Sequence, residues 1–186
     1  MRDADDERDW ADLARHVGSS ALTVVAGSRR TPPPGWGLEA TLDGLQMVAT
    51  NAFVARPDAD AIVLGETDVT ELSDLVARTE PGPFRHQTWR MGTYLGLRVE
   101  GRLVAMAGER MHLPGWTEIS AVCTDPDFRG QGLAARLVRA IGAGIEDHGE
   151  QALLHVLAAN TAAIRLYEKL GFVVRRPMTF LLVRAP

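Results

Sequence analysis

The strongest chemical signal in the chain is CTDPDFRGQGLAARLVRAI, residues 123–141, where Arg129, Gly130 and Gly132 stand immediately before an amphipathic run. Glycine costs a helix roughly 0.5–1 kcal/mol relative to alanine, so two of them at a helix start point to a group that must approach the backbone closely. The first N–H groups of a helix have no intrahelical partner and lie at its positive dipole end, which favours an anion there. Arg129 adds a formal charge. A phosphate group fits this combination.

Three phosphate-binding designs compete for these residues. A Walker A loop needs a lysine and a hydroxyl after its last glycine, where Leu133 and Ala134 stand instead. A dinucleotide fingerprint is nominally filled by Gly130, Gly132 and Ala135. Its context fails: TDPDFR separates the first glycine from the preceding strand, and the next strand ends in LAAN without an acid for a ribose. The third design is R-x-x-G-x-A, filled by Arg129, Gly132 and Ala134. In it the arginine and the amides of residues 130–134 cup a pyrophosphate.

The elements that must position this loop lie on either side of it. LPGWTEISAVCT predicts a turn and a strand leading in, and Leu133, Leu137, Ile141 and Ile145 predict a helix from about Gly130 to Asp147. QALLHVLAA reads as a strand covered on both faces, followed by a helix in TAAIRLYEKL, capped by Asn160 or Thr161 and closed by Gly171. FVVRRPMTFLLVR closes the chain as one long or two short strands. Upstream, AIVLGE predicts a strand, TDVTELSDLVART a helix capped by Thr67 or Asp68, and TYLGLRVEGRLVAMAGERM a hairpin turning at Glu100-Gly101. EPGPFRHQTWRMG is an irregular connection. In the first third, WADLARHVG predicts a short helix, ALTVVAG a strand, SRRTPPPGWG a loop and LEATLDGLQMVATNAFV one or two strands, with a boundary at RPDAD near residue 60.

Composition bounds what this arrangement does. The 186 residues suffice for one well-cored domain with a small extra lobe, and 46% hydrophobic with 24% charged residues is ordinary for a soluble globular protein. A net charge of −4 argues against a nucleic-acid binder and mildly favours a cationic partner. Cys123 is the only cysteine, which excludes an internal disulfide and a cysteine-based metal site. His16, His86, His112, His148 and His155 have no metal-site spacing, and His155 inside an apolar strand reads as a core residue. The opening MRDADDERDW lacks the apolar stretch of a secretory signal, and no run approaches the ~18 apolar residues of a membrane helix. The expectation is a cytoplasmic protein with no metal, no membrane association and no nucleic-acid partner.

TDPDFRGQGLAARL, followed after a strand by NTAAIRLYEKLGF, resembles the GNAT superfamily of acyl-CoA-dependent N-acyltransferases. The resemblance covers roughly residues 62–180 and, with TEISAVCT, is similar to the bacterial branch carrying an additional N-terminal lobe. It implies an α/β (α+β) fold: a central mixed, mostly antiparallel sheet flanked by helices, with splayed strands holding CoA. It divides the chain into a small lobe at residues 1–60 and a transferase domain at 61–186. The implied activity is transfer of an acetyl group from acetyl-CoA to a primary amine by direct attack.

Carried over position by position, the resemblance implies that the amides of Val122, Cys123 and Thr124 serve the thioester carbonyl and the pantetheine arm, as preorganised donors do in acyl transfer. Pyrophosphate is expected on Arg129, Gly130, Gln131, Gly132, Leu133 and Ala134, and Asn160 either caps its helix, touches the cosubstrate, or both. Tyr167 is the expected general acid for the departing thiolate. Glu118 lies an even number of residues before Val122, so strand alternation puts both on one face and makes Glu118 the candidate base, with Glu109 a weaker one. Cys123 has no base nearby in sequence and is assigned a backbone role. The acceptor is an amine of a small molecule or a protein, met by EPGPFRHQTWRMG and its surroundings. An oligomer is compatible with the sequence. The alternatives are a non-catalytic acyl-CoA sensor or docking module, and transfer of a longer acyl group.

Overall fold

The computed structural model of the protein describes residues 7–27, 31–82 and 84–186; the acidic opening 1–6, the start of the proline-rich loop at 28–30, and Pro83 lie outside the described residues. Hydrophobic periodicity resolves into α1 (Glu7–Val17), β1 (Leu22–Gly27), β2 (Gly37–Ala49), β3 (Ile62–Val63), α2 (Val69–Thr79), β4 (Tyr94–Val99), β5 (Arg102–Leu113), β6 (Trp116–Thr124), α3 (Leu133–Asp147), β7 (Gln151–Leu157), α4 (Thr161–Leu170) and β8 (Phe172–Arg184). Short 3-10 turns occupy Glu66–Asp68, Thr88–Met91 and Pro126–Phe128. No helix among the described residues is long and apolar enough to cross a membrane.

Contacts divide the chain into two units, and neither is one continuous segment. The larger holds residues 47–155 and 165–173, the smaller residues 1–46, 156–164 and 174–186. In the larger unit the strand order is β7-β6-β5-β4-β3. The pairs β3/β4, β4/β5 and β5/β6 are antiparallel, and β6/β7 is parallel. In the smaller unit the order is β1-β8-β2, with β1 and β8 antiparallel. The mixed, mostly antiparallel arrangement with flanking helices is the one expected.

Within the larger unit, α3 packs on β4, β5 and β6, and α2 on β5 and β6. Leu137, Val138, Ile141 and Ile145 line one face of α3 and are all buried, each burial contributing about 1.5–3 kcal/mol. Leu72 and Leu75 of α2 join Leu64, Tyr94, Leu103, Met106 and Cys123 in a second buried cluster, on which Phe84, Trp89 and Ala121 pack. This cluster places α2, the 84–89 connection and the end of β6 on one another. The β4–β5 hairpin turns at Glu100 and Gly101, both with positive φ, 49° and 80°, as the two-residue turn requires.

Three local expectations are corrected. The helix expected from Gly130 begins at Leu133, because Gly130 and Gly132 both adopt φ +78°, a left-handed conformation that does not continue an α-helix. Asp68 makes no side-chain cap on α2; its carboxylate accepts from Arg98 at 2.8 Å and from the Gly65 amide at 2.9 Å instead. The strand in AIVLGE shrinks to Ile62–Val63, since the chain enters a 3-10 turn at Glu66.

Candidate active site

Strand β6 carries the site, and its pairing changes along its length. The parallel register with β7 runs from Trp116–Gln151 to Ile119–Leu154 and does not continue to Ser120 and His155. On its other edge β6 stays on β5, but with one residue too many: Ser120 faces Gly108 and Cys123 faces Met106, three steps against two. The surplus is a β-bulge, and Ala121 takes its positive φ of 52°. The bulge also shifts side-chain parity. Met106 and Gly108 share a face of β5, so Cys123, rather than Val122, comes to the face that carries Ser120 and Glu118.

The strand then enters the glycine loop through Asp125, which is buried. Its Oδ1 accepts from the Asp127 amide at 3.1 Å, and its Oδ2 accepts from Arg78 Nε at 3.1 Å and from Arg102 Nη2. One carboxylate thereby ties α2, β5 and the 3-10 turn to the end of β6, and it is held below the ordinary range of a carboxyl although burial opposes this. Arg129 is exposed and extended, its Nε 3.4 Å from the Thr124 carbonyl oxygen. Gly130 and Gly132 follow, and no atom lies within 4 Å of where a Cβ would stand on either. Gly132 caps α3 with no side-chain hydrogen bond, so the first amides of this helix have no capping oxygen. Gln131 is exposed, Leu133 turns its side chain into the core, and Ala134 is half-buried. At the head of the loop, the Thr124 hydroxyl is buried with no hydrogen-bond partner.

Tyr167, on α4, is 7% exposed and meets Phe172 edge-on with ring centroids 6.1 Å apart. Burial pushes its hydroxyl up to about 12, with Cys123 close enough to add to the shift. The Cys123 thiol is itself raised by burial to about 11, so it is neutral near pH 7 and inert as a nucleophile. Tyr167 and Cys123 therefore act on each other electrostatically, one from α4 and the other from the end of β6. Asn160 is exposed and accepts from the Ala163 amide at 3.1 Å through Oδ1, so the capping role predicted for it is made.

Glu118 is 1% exposed and clamped. Arg110 donates from Nε to Oε2 at 2.9 Å and from Nη2 to Oε1 at 2.6 Å, while His155 Nδ1 lies 2.8 Å from Oε1. Burial opposes the charge, yet the hydrogen bonds from His155 and Arg110 hold the carboxyl below its ordinary value. An ionised carboxylate only accepts, so Nδ1 of His155 carries the proton. The base role expected of Glu118 thus meets an anion whose oxygens are already engaged. The partnership with His155 escaped the sequence reading because 37 positions separate the two and only the β6/β7 pairing brings them together. Glu109 is also buried, and its Oε2 accepts from the Thr93 amide at 2.8 Å. Among the described residues no group of three His, Cys, Asp or Glu side chains is placed to hold a metal ion.

Comparison with known proteins agrees with this geometry. The FR47-like protein family matches residues 94–181. The solved structure of a GNAT-family protein from Novosphingobium aromaticivorans superposes with a TM-score of 0.86 at 44% identity, over 95% of this chain and 80% of that one. The [ribosomal protein bS18]-alanine N-acetyltransferase of Salmonella typhimurium is 32% identical over 116 residues, covering 59% of this chain and 78% of that protein. Mycothiol acetyltransferase from Thermobispora bispora is 48% identical over 56 residues, 30% of this chain, and the chain spans only 19% of that relative's length. With its glycine loop at the head of α3, its bulged β6, and one 44% identical structure and one 32% identical relative covered to 80% and 78%, this chain belongs to the GNAT family of acetyltransferases.

Proposed function

We propose that the protein is an N-acetyltransferase that moves an acetyl group from acetyl-CoA to a primary amine by direct attack. The observation that carries this is the run from Thr124 to Ala134. There an unpartnered buried hydroxyl, an exposed arginine and two left-handed glycines with open space around them lead into the uncapped N-terminus of a long helix. A diphosphate needs this donor set, and side chains at 130 or 132 would fill the space it takes.

Acetyl-CoA supplies the acetyl group as a reactive thioester. Arg129 and the amides of residues 130–134 hold its pyrophosphate. The Val122 and Thr124 amides, on the edge of β6 that the register with β7 leaves, hold the thioester carbonyl and polarise it, while the Cys123 amide, like that of Asp125, points to β5. Asn160 gives its Oδ1 to the Ala163 amide and caps α4. As the amine attacks and the carbon–sulfur bond breaks, Tyr167 donates its proton to the departing sulfur. A phenol near 12 is a weak acid, but the same burial raises the proton affinity of a thiolate beside it. Glu118, already engaged by Arg110 and His155, is a fixed ion pair on β6 rather than a free base, so the surplus proton of the ammonium formed on attack leaves through water.

For the acceptor we propose an α-amine next to a carbonyl, as at a peptide N-terminus. The support is the bS18-alanine N-acetyltransferase, of which the chain covers 78%, and a plant N-terminal acetyltransferase subunit, NAA20, matched over 46% of this chain. Location in the cytoplasm belongs to the same proposal.

Calorimetric titration with acetyl-CoA, beside an Arg129→Ala, Gly132→Glu double variant, tests the reading. Binding by the wild type that the variant loses is the expected result, followed by CoA thiol release when trialanine or another primary amine is added. Binding without release for any amine would favour a sensor; no binding by the wild type would overturn the reading.

A further inference from the structure

The larger unit contains one buried polar atom that the roles above leave unused. The Tyr94 hydroxyl is buried and has no hydrogen-bond partner. Tyr94 is 1% exposed, and its ring fills the space above Gly108, where a Cβ would come within 2.4 Å of it. That glycine is the β5 residue opposite Ser120, just before the β6 bulge. Orphaned buried hydroxyls are uncommon, because leaving one unpaired costs the desolvation of the group.

What surrounds the hydroxyl indicates the partner. Arg110, Glu118 and Glu109 all act electrostatically on it, and burial pushes it up to about 12, so it stays a neutral phenol. Tyr94 also shares the buried cluster of Cys123, against which Ala121 packs from the bulge. The predicted acceptor connection packs on it: Phe84 meets its ring edge-on at 5.8 Å, and Trp89 packs on the same cluster. The orphan therefore shares one cluster with Cys123, whose strand end is assigned to the thioester, and with the segment assigned to the acceptor, and Glu109 and the Arg110–Glu118 pair lie near it.

We infer that the Tyr94 hydroxyl is the acceptor contact of this site: its oxygen accepts a hydrogen bond from the attacking amine as the amine enters past Phe84 and Trp89, and so aims the nitrogen lone pair at the thioester carbon. The inference rests on the acetyltransferase reading and adds to it the residue that positions the nucleophile. No bond is made or broken at Tyr94, which keeps its proton throughout.

The test is Tyr94→Phe, which removes one oxygen and keeps the packing over Gly108. The acceptor is the best wild-type substrate from a panel of primary amines beginning with trialanine, and the readouts are CoA release, calorimetric binding of acetyl-CoA and the thermal midpoint. The expected result is a loss of about tenfold or more in kcat/KM for the amine, with acetyl-CoA affinity unchanged and a midpoint equal to or above that of the wild type, since an unpaired polar atom has been removed. Unchanged amine kinetics would overturn the inference. So would a lowered midpoint with both substrates affected alike, which is the mark of a structural hydroxyl. Failure of the acetyltransferase reading is seen in the wild type itself, as no acetyl-CoA binding or no release with any amine, and it removes this inference too.

Discussion

His155 gives its Nδ1 proton to Glu118 across 2.8 Å, and Arg110 holds the same carboxylate from the other side. A buried carboxylate with one partner removed is costly, so this cluster governs the stability of the β5–β6–β7 region as well as the charge beside the bulge. Glu118→Gln is expected to destabilise by about 3 kcal/mol, because it leaves Arg110 facing a neutral amide inside the protein. Its signature is pH dependence. The Glu118 carboxyl titrates lower in the folded protein than when unfolded, so its contribution is complete above about pH 5 and fades as pH falls through the unfolded value of ~4.3 towards the lower folded one. Urea midpoints between pH 7 and pH 3 should therefore fall less steeply for the variant; parallel curves would show that Glu118 is not ionised in the fold.

Tyr167 is buried on α4 within electrostatic reach of Cys123, and its hydroxyl is raised to about 12. Tyr167→Phe should lower kcat by about 10²-fold, as expected for loss of a positioned proton donor, with little change in acetyl-CoA affinity or thermal midpoint. Turnover above pH 8 should be least affected, because the departing thiolate then needs no donor. A variant with wild-type kcat would remove the acid role.

Cys123 is a neutral thiol with a value near 11. At pH 8 only about one molecule in a thousand carries the thiolate, so iodoacetamide should label the folded protein far more slowly than the protein in urea. Cys123→Ala should keep its turnover. Rapid labelling, or an acetylated cysteine isolated during turnover, would replace direct attack with a covalent route.

Gly171 closes α4 at φ +102°, with the Phe53 nitrogen 2.4 Å and the Ala52 carbonyl carbon 2.6 Å from the position of a Cβ. Both neighbours are backbone and cannot swing aside. Gly171→Ala should cost about 2–4 kcal/mol, the left-handed penalty added to overpacking. A midpoint shift under 2 °C in thermal unfolding would mean that the 50–53 turn yields.

The identity and order of the elements around the site were legible in the sequence, because each rests on local chemistry. Positions 133, 137, 141 and 145 can only bury together on a helix, and Gly171 had to close α4 with a left-handed residue. Glu100-Gly101 had to turn a hairpin, and the glycines beside Arg129 leave open space at the head of α3. Where local rules compete, the outcome was not legible. Asp68 was offered both a helix end and Arg98, and the charged partner from β4 prevailed. Gly130 was offered a place in the helix and took a turn ahead of it.

By itself, then, the sequence determined the helix periods, the turns and the glycine-arginine loop that opens α3, since these depend on residues near in the chain. Tertiary structure decided what occupies the reaction face. One extra residue at Ala121 brings Cys123, rather than Val122, round to the side of Glu118, and strand pairing joins Glu118 to His155 and Arg110. Packing of β4 against Gly108 buries the Tyr94 hydroxyl without a partner. A bulge and a strand register are settled by whole sheets competing for partners, and no short window of sequence contains that competition.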